Sequence, residues 1–194
     1  MQVIKKHSDI IIKMLVNQFG IAIFSFFLYT AAGAIKSENG GLTTAIKAAI
    51  SVFSIAFYFM LTYTVIWEVG AKDKIRIDGN KATREPTKGL ILGAVSCVPA
   101  FIITLAGVIT SGLYLIGLGD GFNTAFGILN LIFRFILMPY LGVIQWISSY
   151  INLGTDMVFF IDSVLFLIVP LTSILLSHIA YSFGLKEKRF LFKK

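Results

Sequence analysis

Residues Trp67–Lys88 read WEVGAKDKIRIDGNKATREPTK. This is the one long polar stretch of an otherwise apolar chain. It carries six bases (Lys72, Lys74, Arg76, Lys81, Arg84 and Lys88) against four acids (Glu68, Asp73, Asp78 and Glu85). Apolar runs flank it on both sides. A short connection rich in Lys and Arg, next to segments long enough to cross a bilayer, is expected to stay on the cytoplasmic face. Residues 68–88 are therefore read as a cytoplasmic basic loop, and that assignment orients the rest of the chain.

The composition supports the membrane reading. Of 194 residues, 57% are hydrophobic and 14% are charged, and the mean hydropathy is +0.85. Soluble domains have about 45–50% apolar and about 25% charged residues. The 18 Phe can cover a large lipid-facing surface. The formal net charge of +7 follows from topology. Nucleic acid is not an expected partner, because the bases collect at segment ends and not on a face interleaved with aromatic residues.

Four spanning helices are expected, at about 10–34, 42–67, 89–118 and 156–183. The chain is thus read as a single all-α polytopic domain, 1–194. The first segment follows Lys5, Lys6 and Lys13 and ends in Ala32-Gly33-Ala34, the form of a signal peptide. Its apolar character reaches back through Ile10–Ile12, longer than a usual signal core, so it is read as an uncleaved span. In the second segment, 26 residues at about 1.5 Å each exceed the ~30 Å hydrocarbon core. In the third, Gly89, Gly93 and Cys97 recur every four residues, which places three small residues on one helix face for close helix packing. Pro99 is expected to kink that helix. Gly117–Gly121 is a breaker.

Residues 122–153 are ambiguous. They are apolar enough to cross, yet Asn123, Asn130 and Arg134 share one face at spacings of seven and four. A crossing here would deliver the tail Lys186–Lys194, with five bases against one acid, to the outside. The conflict disappears if the segment is re-entrant, turning near Met138-Pro139-Tyr140, or interfacial. Both termini are then cytoplasmic, and of the 17 Lys and Arg only Lys36, Lys47 and Arg134 lie elsewhere. The expected location is the cell (plasma) membrane, multi-pass.

Enzyme constellations are absent. His7 and His178 are far apart, Cys97 is the one cysteine, and no zinc, Walker or nucleophile-elbow motif occurs. No enzyme activity, cofactor or metal is expected. Charges within or beside apolar segments are the informative candidates, because burying them is costly. Arg134, Asp162 and Asn130 form the candidate polar or anion site. Arg134 has three readings: it snorkels to lipid phosphate, forms a structural ion pair with Asp162, or faces a re-entrant cavity that binds an anion. The alternative for Asp162 is a carboxylate at a helix amino end, favoured by the macrodipole.

Two function classes follow. The first is transport-related: a small channel, a transporter, or the membrane subunit of a larger complex. The second is a non-enzymatic scaffold or assembly factor; a lipid-modifying enzyme is weaker for want of a catalytic set. The expected partners are the bilayer, anionic lipid headgroups at the basic loop, and a second copy or another membrane protein.

Overall fold

The computed structural model describes residues 7–34, 40–117, 120–151 and 154–186. The expected basic tail falls largely outside them, as do Lys5, Lys6 and Lys36. The described residues form six helices and no strand: α1 (Ser8–Ala34), α2 (Gly40–Asp78), α3 (Lys88–Leu115), α4 (Asp120–Ile136), α5 (Met138–Ser148) and α6 (Thr155–Leu185). Four of these, α1, α2, α3 and α6, are long and apolar enough to cross a membrane. The chain is all-α, in two compact units. The first comprises Met1–Asn17, Tyr58–Val98 and Leu171–Lys194, and the second Gln18–Phe57 and Pro99–Pro170. The four long helices each run through both units, and two of the boundaries fall at Pro99 and Pro170.

The largest departure from the sequence reading is in the basic stretch. Helix α2 does not stop at Trp67 but continues through Asp78, so the connection to α3 shrinks to residues 79–87. Two features hold the extension. Ile66, Val69, Gly70 and Asp73 recur at helical spacing and are buried. The other charges pair along the helix, Lys72 with Glu68 at 3.5 Å and Lys74 with Asp78 at 2.5 Å; such i,i+4 pairs add a few tenths of a kcal/mol each, about 0.3–0.5. The helix ends in a Schellman motif. Lys81 N–H donates to the Arg76 carbonyl (2.8 Å) and Asn80 N–H to that of Ile77 (3.0 Å), with Asn80 at φ 54°.

The first unit is built on close helix approach. Ile11 and Met14 of α1, Ile66 and Val69 of α2, Leu92 of α3, and Ala180, Tyr181 and Leu185 of α6 form one apolar cluster. Gly70 of α2 and Gly184 of α6 let backbones touch: a Cβ on Gly70 would sit 2.4 Å from the Tyr181 carbonyl oxygen, and one on Gly184 2.3 Å from that of Trp67. Gly89 and Gly93 face α6 within the same chain; a Cβ on Gly93 would lie 2.7 Å from Ser177 Cβ. Gly93→Leu should therefore force α3 and α6 apart and cost about 1–3 kcal/mol or more, read as a lower unfolding midpoint in detergent. An unchanged midpoint would mean that α6 can shift without loss.

Large apolar side chains face outward, and small hydroxyls lie inward among the apolar core. Val16, Phe27, Ile102 and Leu175 are each more than 60% exposed, whereas Ser25, Ser51, Ser96, Ser163 and Ser177 are at most 3% exposed. Several buried hydroxyls donate to the carbonyl four residues back in their own helix: Ser25 to Ile21 (2.7 Å), Thr104 to Ala100 (2.9 Å) and Ser177 to Ser173 (2.8 Å). These three hydroxyls are paired within their own helices, whereas Ser54 Oγ and Thr62 Oγ1 are buried without a hydrogen-bond partner among the described residues.

Candidate functional site

Helices α4 and α5 lie in the second unit and form a sharp bend. Residues Gly127–Ile136 and Met138–Ser148 meet at 113°. The break falls at Leu137, just before Met138-Pro139-Tyr140. Pro139 sits in the first turn of α5, where its missing N–H costs nothing. Each arm is then fastened to long helices. Phe133, 1% exposed, lies on Gly107 of α3, where a Cβ would come within 2.7 Å of its ring, and meets Phe166 of α6 edge-on at 5.3 Å. On α5, Gly142 packs on the Lys47 carbonyl of α2 so closely that its N–H donates to Ser51 Oγ (2.8 Å). Gln145 of α5 accepts from the Tyr29 hydroxyl of α1, and Lys47 Nζ lies 4.7 Å from the centre of the Tyr29 ring.

The bend brings Arg134 to Asp162. Arg134 Nη2 lies 3.2 Å from Asp162 Oδ2, with side chains 23% and 5% exposed. The other carboxylate oxygen of Asp162 accepts from Ser148 Oγ at the end of α5. Asp162 is two turns into α6, whose first-turn acid is Asp156. The helix-end dipole fades within one turn, so the Asp162 charge is offset by side chains from both arms of the bend. The guanidinium also lies 5.6 Å from the centre of the Phe159 ring.

Beside this pair is an open cleft of about 470 Å³. Its walls are apolar, from Phe26, Leu131, Phe135 and Met138, and its polar residues are Asn130 and Arg134. Two buried polar atoms there have no hydrogen-bond partner among the described residues: Arg134 Nε, a donor, and Asn130 Oδ1, an acceptor. An amide can present its oxygen or, flipped, its NH₂. The side chain of Asn123 lies outside the described residues.

The remaining sequence candidates lie in the first unit. Lys72, Lys74 and Arg76 are on α2, and Lys81 and Arg84 are exposed in the connection. Lys88, counted above as a loop base, opens α3 and is buried: its Nζ lies 2.6 Å from Asp73 Oδ2, with side chains 8% and 10% exposed. Tyr181 OH donates to the same oxygen at 3.0 Å. Cys97 is a buried free thiol; among the described residues no three His, Cys, Asp or Glu gather as metal ligands. Gly107, Gly142 and Ser148, which the sequence reading passed over, hold the bend.

Comparison with known protein families, curated proteins and solved structures finds no match.

Proposed function

We propose that this chain is a multi-pass, non-enzymatic protein of the cell membrane with a transport-related role, and that the α4–α5 bend is a re-entrant element carrying its solute site. The membrane reading draws on the outward apolar faces and inward small residues of the four long helices, the pattern that lipid, as solvent, selects. In this reading both termini and residues 79–87 face the cytoplasm, as the Lys and Arg distribution favours. A cysteine placed after Lys194, in a Cys97→Ser background, should resist membrane-impermeant thiol reagents from outside intact cells. Labelling from outside would sink the orientation.

The observation that carries the transport reading is that Arg134 and Asn130 both line a cleft next to a neutralised ion pair, and that their buried Nε and Oδ1 atoms have no hydrogen-bond partner among the described residues. A scaffold has no use for a buried donor held without a partner, since leaving one unmade costs about 1–3 kcal/mol. A solute site does: with Nη2 held by Asp162, the guanidinium can offer Nε to an anionic oxygen when the side chain turns towards the cleft. The substrate class is a small anion with an apolar portion, matching the Phe and Leu walls. Four spans of this size leave little room for a pore inside one chain, so the working unit would be a homo-oligomer or include a partner membrane protein.

The test is flux in proteoliposomes, measured with chloride, inorganic phosphate, acetate and benzoate. Wild-type flux should favour one of these anions, and Arg134→Met should lower it roughly ten- to hundredfold, the loss expected for one charge-assisted hydrogen bond. Flux no greater than that of empty vesicles would reject the transport reading in favour of the scaffold.

A further inference from the structure

A second cleft, of about 300 Å³, lies in the first unit between the start of α1 and the polar end of α2. It belongs to none of the residues of the bend. Lys13 lines it from α1, and Lys72 and Arg76 line it from α2. Its acids are Glu68 and Asp73, and neither cancels this charge. Asp73 is neutralised from behind by Lys88 at 2.6 Å, and its other oxygen is 4.0 Å from Arg76, a loose contact. Glu68 meets Lys72 at 3.5 Å with both side chains largely exposed, and such pairs are readily exchanged. Lys13 has no ion-pair partner among the described residues. Counting Lys88, four cations stand against two carboxylates.

The cleft is also amphipathic. Ile10, Val65 and Val69 supply apolar wall beneath the basic rim. A guanidinium with its donors almost unused, two ammonium groups and an adjoining apolar surface match a phosphate ester better than a bare inorganic ion.

We propose that this cleft binds a phosphate group, supplied by an anionic phospholipid headgroup or by a soluble phosphate compound. Arg76 takes two phosphate oxygens in a fork, Lys13 and Lys72 close on the others, and Ile10 and Val69 lie along the ester's carbon chain. Glu68 opposes binding and turns outward with its exposed side chain. The membrane reading bears only on the source of the phosphate, and the site does not depend on transport through the bend.

The experiment titrates the full-length protein in detergent with dihexanoyl phosphatidic acid, dihexanoyl phosphatidylcholine and inorganic phosphate. Phosphatidic acid should bind at least about tenfold more tightly than phosphatidylcholine, and Lys13→Gln with Arg76→Gln should weaken it about tenfold or more. Both side chains are exposed, so the double variant should fold, which its unchanged unfolding midpoint would establish. Glu68→Gln should tighten binding, a gain that no general damage to the fold can mimic. Inorganic phosphate binding as tightly as phosphatidic acid would support the phosphate site with a soluble source and overturn the role given to Ile10 and Val69. Equal binding of the two lipids, or a folded double variant with unchanged affinity, would overturn the proposal.

Discussion

Lys88→Met should lower the unfolding free energy by about 3–5 kcal/mol, the usual cost of removing one partner from a buried pair. The ammonium lies 2.6 Å from Asp73 Oδ2, with both side chains about nine-tenths covered. Removing it leaves the Asp73 carboxylate facing the Tyr181 hydroxyl at 3.0 Å and Arg76 at 4.0 Å. One neutral donor and one distant cation do not replace an ion-pair hydrogen bond. Lys88 is also a cation in the first turn of a helix, where the macrodipole disfavours it, so Asp73 is what makes that position tolerable. Lys88→Met with Asp73→Leu should accordingly be milder than Lys88→Met alone, since no charge is stranded. Unfolding in mixed micelles with increasing SDS, followed by Trp fluorescence, measures both. A loss under about 1 kcal/mol for Lys88→Met would place the pair among solvent-screened surface pairs.

This pair also marks where sequence reading reached its limit. The four long apolar helices are legible because hydrophobic length alone decides whether a segment can cross, and the turn near Met138-Pro139-Tyr140 follows from the Lys and Arg distribution and not from Pro alone, since Pro99 and Pro170 lie inside α3 and α6. The basic stretch misleads because its charge density resembles a loop. Its 3.6-residue spacing of Ile66, Val69, Gly70 and Asp73, and its i,i+4 charge pairs, were the signals of a continuing helix. Without that continuation Asp73 cannot be brought to Lys88, fifteen residues on, and Lys88 reads as one more solvated base. Gly107 and Gly142 were illegible for a different reason. No spacing rule points to them; each is required by a partner on another helix, Phe133 in one case and the Lys47 carbonyl in the other. Gly89 and Gly93, by contrast, declare themselves by their four-residue repeat, although the sequence does not say which helix they meet.

The second large effect is expected at Arg134 and Asp162, and it should be asymmetric. Asp162 is 5% exposed and Arg134 23%, so the two single changes strand unequal charges. Arg134→Met leaves a carboxylate deep in α6 with only the Ser148 hydroxyl. Asp162→Leu leaves a guanidinium that can move towards its open cleft and still lie against Phe159. Arg134→Met should therefore be the costlier, at about 3–5 kcal/mol, and Asp162→Leu smaller. The double variant should cost less than the two losses added together, with a coupling of about 1–3 kcal/mol, since neither charge then remains to be solvated. Asp162→Asn separates charge from shape: it keeps an acceptor for Ser148 and should fall between wild type and Asp162→Leu. Thermal unfolding in detergent completes the cycle. Additive losses would mean that each side chain finds its own solvation, returning Arg134 to a snorkelling role and removing the neutralised pair on which the solute site depends.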